Sequence, residues 1–473
     1  MLRTLIRKEL LEIVISAKFV VAFVATAAVV ILGTSVGAES YLAARDEARL
    51  QQEQNFQQLT SQGDWLEAAR LGVTELREPY VLSIFDRGIA DNLGRIAAVN
   101  ADVDTRLDKS RNLTEPILAL FGSVDFTFAV RVILSLFAFL MTYDAVCGER
   151  ERGTLRLLLS GSVPRHRVIL AKIGGSCIAL TVALAGAAVI ALLNLAIFFP
   201  SVLAHFDLAA WWRFGAMIAM YLLYLVVFAA AGLMVSALVR NSATSFVILL
   251  MVWILFVGIV PQLSTAVAER IVPNEPYIVL QTRALKEISE QRDERLAELE
   301  SGDTWRKAMR ENRVAQLYAE RAREFASLQS EVLDRYNHVH HRQQSSQILL
   351  AEAIARTLSP TSAMGFAVQD LAGSGWARQG EYLSQLRVFQ RSFRQYIFDS
   401  LDNVYADEGE NIFEKIHRNE FLPIGRGQVT FEFAEERPLS IVLRILWDYA
   451  ALAIFATVFF AVAYTAFIRY DIR

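Results

Sequence analysis

Cysteine is nearly absent: Cys147 and Cys177 are the only two in 473 residues. Cys177 falls inside an apolar run and Cys147 in a charged loop, so neither long polar region has a thiol and no disulfide framework holds them. Packing alone must do so. Histidine is scarce too, six in all, with three crowded into HVHH as His338, His340 and His341. His338 and His341 share a helical face, but two ligands leave a metal site incomplete, and no Cys or HExxH pattern completes it. The cluster reads as solvated helix, and no metal is expected. Also missing are a Walker A loop to cradle phosphates and a GxSxG nucleophile elbow. AKIGGS, residues 171–176, has the glycines and lysine in the wrong order and opens an apolar run. The chain therefore reads as non-catalytic, with no cofactor bound directly. Neither sign of charge dominates: 47 basic residues face 50 acidic ones, a net charge of -3, which gives no reason to expect nucleic acid.

What the chain has is long apolar runs, with 54% of residues hydrophobic. Six runs, near 17–37, 124–143, 173–200, 211–239, 244–260 and 441–467, have the composition of membrane spans. Before the first, Leu2, Leu5, Ile6, Leu10, Ile13 and Val14 recur at helical spacing opposite Arg3, Arg7, Lys8 and Glu12, the pattern of a helix lying on a membrane surface. A signal peptide is the competing reading, since SVGAES resembles a cleavage site, but the apolar run exceeds an ordinary signal core. Small residues such as Gly174, Gly175, Gly186 and Gly232 would let spans approach closely. An even number of spans puts both termini on one side, and the basic loop between spans two and three makes that side cytoplasmic.

The expected architecture is an all-α integral membrane protein. Its divisions are 1–37, a surface helix and first span; 38–120, a first extracytoplasmic segment; 121–266, spans two to five with a coupling loop at 143–172; 267–439, a large helical extracytoplasmic domain; and 440–473, the sixth span and cytoplasmic C-terminus. QGDW, EPY and DRG mark turns between helical pieces of the first outer segment. The runs LKEISEQRDERLAELE and MRENRVAQLYAERAREFASLQSEVLDRY suggest an antiparallel helical pair in the larger one.

The loop orders these pieces. YDAVCGERERGTLRLLLSGSVPR, followed by Lys172 and a new span, resembles the signature loop of ABC type-two exporter permeases, and the outer segments resemble the large-loop branch related to copper-enzyme maturation permeases. The resemblance implies a membrane subunit of an ATP-binding cassette transporter in a bacterial inner membrane. It implies partnership with two ATPase subunits that carry ATP and Mg, and a homodimer or a heterodimer with a sibling permease. The coupling contacts would fall on Asp144, Glu149, Arg150, Glu151, Gly153, Thr154, Leu155 and Leu158. In that family the first and fifth spans meet at the dimer seam, here Val20 to Gly33 and Thr244 to Val260. Their uncharged character suits export of an amphiphilic or lipid-linked cargo. The alternative is a mechanotransmitter, in which ATP-driven motion acts on an extracytoplasmic protein partner and nothing crosses.

Three charges stand inside spans: Arg131 in the second, Arg444 and Asp448 in the sixth. A charge at mid-bilayer costs roughly 2.5 to 3.5 kcal/mol and so seeks a partner. Arg131 and Asp448 fall at similar depth, which predicts a salt bridge between them, with Arg444 and Asp448, four residues apart, as the rival pair.

Overall fold

The computed structural model describes residues 2–61, 72–88, 96–99, 106–108, 124–155, 164–301, 306–307, 310, 314–405 and 431–469. Among these, six helices are long and apolar enough to cross a membrane: Ala17–Gln58, Phe126–Glu151, Arg165–Phe198, Leu208–Leu238, Ser242–Ile271 and Pro438–Ile468. The all-α membrane architecture holds. One face of the bundle carries the leading helix Leu2–Val14, the short helix Cys147–Glu151 and the end of the sixth span; we call it the loop face. The opposite, domain face carries the small sheet and the helices between spans five and six.

The fourth span is the axis. Two thirds of its most apolar stretch, 67%, is buried, against 17% for the fifth and for the sixth span, so these two turn most of their apolar surface outward. Tyr221, Tyr224 and Phe228 on the fourth span are fully enclosed. Tyr221 shares a 2.7 Å hydrogen bond with Thr127, and Tyr449 of the sixth span donates to the Ala216 carbonyl at 2.6 Å. Polar groups within a bundle are satisfied by neighbouring helices because lipid offers them nothing.

Three features depart from the sequence reading. The helix of the first span runs on past Gly37 to Ser61 without a break, since GAESYLAARDEARL has no helix breaker and its polar residues simply face water. Beyond it, where helical pieces were expected, the chain forms a small antiparallel sheet of β1 (Val73–Leu76), β2 (Ile96–Val99) and β3 (Arg106–Asp108) in the order β1-β2-β3. Strands this short offer too little alternation to be seen against polar surroundings. Finally, the fifth span does not end at Pro261. A π-helical turn over Ile254–Ile259 precedes the proline, so that Val260 N–H reaches the carbonyl five residues back, Leu255. The widened turn accommodates a ring that would collide with the i−4 carbonyl of an α-helix, and the helix continues to Ile271.

The large domain begins with Tyr277–Ser301 packed on Val314–Leu358, the expected helical pair, with Ala284, Ile288, Val332 and Leu333 between them. Pro360–Ala372 then lies across the top of the bundle, its Ala363, Met364, Ala367, Val368 and Leu371 belonging to the same core as the spans. Helix Trp376–Tyr405 leads back outward.

The packing of span two on span four depends on Gly232. A methyl group there would lie 2.9 Å from Thr142 Cβ and overlap its hydroxyl, whereas one at Gly215 would meet nothing within 4 Å. Gly232→Ala is therefore expected to lower folded yield and the thermal midpoint, by about 1–3 kcal/mol of overpacking strain. Gly215→Ala should leave both unchanged, as detergent-solubilised thermal denaturation would show.

Candidate functional site

On the loop face, a buried ammonium gathers three elements. Lys172, at the start of the third span, is 3% exposed and lies 2.7 Å from Glu149 and 3.3 Å from Glu9. Glu9 comes from the leading helix and Glu149 from the short helix Cys147–Glu151, so one cation ties both to the bundle. Gly175, one turn along from Lys172, makes this approach feasible: a Cβ there would stand 2.7 Å from the Glu9 Cβ. The glycines of AKIGGS thus seat a helix.

The rest of the loop is fixed as firmly. Ser236 Oγ of the fourth span accepts the Val146 and Cys147 amides at 3.0 and 3.2 Å, capping the short helix from outside its own sequence. Glu151 accepts from the Ser242 amide at 3.0 Å and from its hydroxyl at 2.5 Å, placing a carboxylate on the N-terminus of the fifth span where the helix dipole favours it. Asp144 lies 3.7 Å from Lys18, and Arg150 donates to the Val239 carbonyl at 3.3 Å. Gly153 ends the short helix in a left-handed conformation, φ +72, which suits glycine. Thr154 Oγ1 turns back to the Glu149 carbonyl at 3.2 Å.

Leu155 is 1% exposed and packs with Val146, Val168, Ile169, Leu233 and Phe467. Its side chain fills the protein's own interior. Leu158 lies outside the described residues. The side chains that do face solvent are Glu151, Arg152 and Thr154, around the open Gly153.

The domain face holds a second junction. Span two also contains a π-helical turn, Ala129–Leu134, around Arg131. Tyr224 donates to the Arg131 carbonyl at 3.1 Å, and Ser135 Oγ donates to it at 2.5 Å. Trp253 Nε1, just before the π turn of span five, donates to Ser135 Oγ at 2.9 Å. The two irregular turns are therefore joined. Ser359 completes the set: its hydroxyl donates to the Phe256 carbonyl at 2.7 Å within the second π turn and accepts the Thr361 and Ser362 amides, capping the helix that crosses the bundle. π turns recur at functional sites because their freed carbonyls can be engaged from elsewhere.

The intramembrane charges are not arranged as the sequence suggested. Asp448, 1% exposed, has its charge partner outside span six in Arg356 of the domain helix Val314–Leu358, with Arg356 Nε 3.3 Å from Asp448 Oδ1. The angle is poor for a hydrogen bond, so this is an ion pair by proximity. Arg356 also lies 3.4 Å from Glu352. The rival pair does not form either, because Arg444 is held two-pronged by Glu436 at 2.6 and 2.8 Å and by Asp370 at 3.4 Å. Arg131 instead exerts its charge near Asp86, the enclosed carboxyl that accepts from Ser374 Oγ at 2.9 Å. Burial, and then the neighbouring Asp125, push the Asp86 carboxyl up, while Arg131 acts in the opposite direction. Burial likewise pushes the Glu352 and Asp370 carboxyls up, against the pull of Arg356 and Arg444. The physical reason is that similar depth pairs spans only with spans, whereas the partner of Asp448 comes from the domain helix Val314–Leu358.

No group of three or more His, Cys, Asp or Glu side chains among the described residues could hold a metal. His341 is buried enough that its imidazole is pushed down to about 4, and His340 is also lowered by burial. Glu9, Ser242, Ser359 and Arg356 were not singled out from the sequence, and Ser236 stood out there only as a small residue. Only Ser359 carried a local signal, a serine N-cap followed by proline at the first helical position; the others are defined by where distant segments meet.

These features define a multi-pass membrane protein with a rigid charged loop on one face and a domain wired into its spans on the other. A family model described as ABC-2 family transporter protein matches residues 3–472, and the chain belongs to that family. It is accordingly a permease, the membrane subunit of an ABC transporter, a class that associates with an ABC ATPase and is generally non-catalytic itself. A search of curated proteins finds no match.

The Asp448 assignment is testable by charge exchange. Asp448→Arg or Arg356→Asp alone should cost about 3 kcal/mol, the scale for breaking a buried pair, and the double exchange should recover part of it. The exchanges Arg131→Asp with Asp448→Arg should be additive. Thermal denaturation of the purified variants reads both cycles.

Proposed function

We propose that this permease exports an amphiphilic or lipid-linked cargo across a bacterial inner membrane, driven by two ATPase subunits docked on the loop face. In this reading the loop face and both termini are cytoplasmic. The observation that carries it is the loop junction: the strip Glu151–Thr154 is exposed, yet it is bolted through Glu151 to span five and through Glu149 and Lys172 to span three and the leading helix. A push on the strip moves three elements together. Coupling needs this rigidity, since a floppy loop would absorb the motion. Glu149 then transmits force rather than touching the ATPase, and Glu151 does both.

Span five supports an amphiphilic cargo. Phe246, Met251, Ile254 and Leu255 are exposed on it, as are Val20, Val21, Val24 and Leu32 on span one, and no acid or base interrupts either row. In a homodimer or a heterodimer with a sibling permease, these faces line an apolar seam. The second reading, mechanotransmission to an extracytoplasmic protein, is favoured by the Ser359–Phe256 and Arg356–Asp448 contacts, which connect the domain directly to spans five and six.

Copurification with an ABC ATPase is the first expectation. Arg152→Glu with Thr154→Arg should abolish ATPase stimulation while lowering the thermal midpoint only slightly, by the loss of the Arg152–Gly148 and Thr154–Glu149 hydrogen bonds at the loop surface. Glu149→Lys should lower both, because it opposes two like charges at a buried site. Equal stimulation by wild type and the exposed-strip variant would overturn the docking assignment. To separate export from mechanotransmission, the wild type reconstituted with its ATPase should export a labelled amphiphile in proteoliposomes, and Ser359→Ala should retain that export; absence of export by the wild type, with an ATP-dependent output that Ser359→Ala weakens, supports mechanotransmission instead.

A further inference from the structure

On the domain face, between the outward continuation of span one and the small sheet, lies a cleft of about 530 Å³. That volume is within the range of small-molecule sites, roughly 300–1,000 Å³. Tyr41 and Arg45 supply one wall from the first helix. His205 and Asp207 come from the connection between spans three and four, and the opposite wall combines Glu78, Tyr382 and the segment around Glu432.

The cleft is built rather than incidental. Arg378 stands 5.1 Å from the Tyr80 ring and 5.0 Å from the Phe433 ring, and Glu435 holds it two-pronged at 2.7 Å on each side. Gln385 grips the Ala434 backbone through both its amide atoms at 2.9 Å, fixing the extended segment that closes the wall. Tyr382 packs edge-on to Phe431, 5.7 Å between ring centres.

Against this frame, several polar groups have nothing to bind. Tyr382 is 1% exposed, yet its hydroxyl has no partner among the described residues, and neither has the Tyr80 hydroxyl. An unsatisfied buried hydroxyl is unfavourable, and a bound ligand would relieve it. Burial also pushes the Tyr382 phenol up, so it remains a donor. The charges are unmatched as well. Arg45 bonds only the His205 imidazole, with no carboxylate in ion-pair range among the described residues. Across the cleft, Glu78 and Glu432 face the space without a hydrogen bond or ion pair to any described residue.

We infer that this cleft binds a small zwitterion, an oxyanion and an ammonium group on one apolar body. Its oxyanion sits on Arg45 and the Tyr382 hydroxyl, its ammonium on Glu78 and Glu432, and its body against the Tyr41 and Phe431 rings. A guanidinium recognises an oxyanion strongly because the hydrogen bonds are charge-assisted. Aromatic rings with a few directed polar groups are the usual lining of such sites. Two sources carry this chemistry. Tyr41 lies four residues beyond Gly37, near the outer end of the apolar run, so a zwitterionic lipid headgroup can reach the cleft; a free dipeptide can enter from water. Neither depends on the docking or export readings above.

The test uses the full-length permease in phosphatidylglycerol nanodiscs. One arm titrates phenylalanyl-glycine by calorimetry. The other doses the discs with phosphatidylethanolamine and counts retained lipid by native mass spectrometry. Binding of either probe at one per chain, weakened about tenfold by Arg45→Gln and severalfold by Tyr382→Phe, is the expected result, and the responding arm identifies the source. Tyr382→Phe removes a single oxygen that has no partner, so its thermal midpoint should not fall. If neither probe binds, or if both variants bind as well as wild type, the assignment is overturned.

Discussion

A charge withdrawn from water must be met by another, and this constraint fixes both ends of the bundle. Lys172 is the clearest instance. Its ammonium is nearly sealed from solvent, and an isolated ion there would cost several kcal/mol, so Glu9 and Glu149 have to stand where they do. The leading helix lies against span three because its acid is needed there and because Gly175 clears the way. Asp448 imposes the same requirement at the other face, and what answers it is Arg356 from the domain between spans five and six. Each buried charge thereby joins a peripheral element to the spans, at a strength that neutral packing in lipid does not readily supply, since lipid tails are as apolar as leucine.

Between these ends, the two faces are joined by a continuous set of contacts. Spans two and five each contain a π turn, and the Trp253–Ser135 hydrogen bond joins them. A π turn leaves carbonyls available, and here they are used: Tyr224 takes that of Arg131, and Ser359 that of Phe256. Regular helices are stiff along their axes, and span five runs from its cap at Glu151 to the turn at Ile254–Ile259. There the helix can change shape without losing every hydrogen bond. The domain helix that starts at Ser359 sits directly on this turn.

Much of this was legible beforehand, and the limits are instructive. The six spans, the surface helix and the helical pair follow from hydropathy and period, which are properties of contiguous sequence. So does the loop, whose charge between two apolar runs admits little else. The roles of Glu149 and Glu151 within the loop were not legible, because an acid that caps another helix and an acid that faces solvent have the same local sequence. Leu155 shows the same ambiguity: an apolar residue in a polar loop is equally consistent with an exposed contact and with burial, and only the position of Phe467, more than three hundred residues on, decides for burial. The sheet escaped notice because its three strands together span only eleven residues.

The Asp448 misassignment says something further about the fold. Matching charges by depth assumes that spans pair with spans, which is the rule when loops are short. Here the segment between spans five and six is large enough to return to the membrane, and it does so twice, through Arg356 onto Asp448 and through Asp370 onto Arg444. Span six packs along span four, to which Tyr449 is hydrogen-bonded, although only 17% of its most apolar stretch is buried. Its half nearer the domain is held by the domain as well as by the bundle. A domain that merely hung from the membrane would need no such contacts; one whose acid and base complete the charges of a span has its position tied to that of the span.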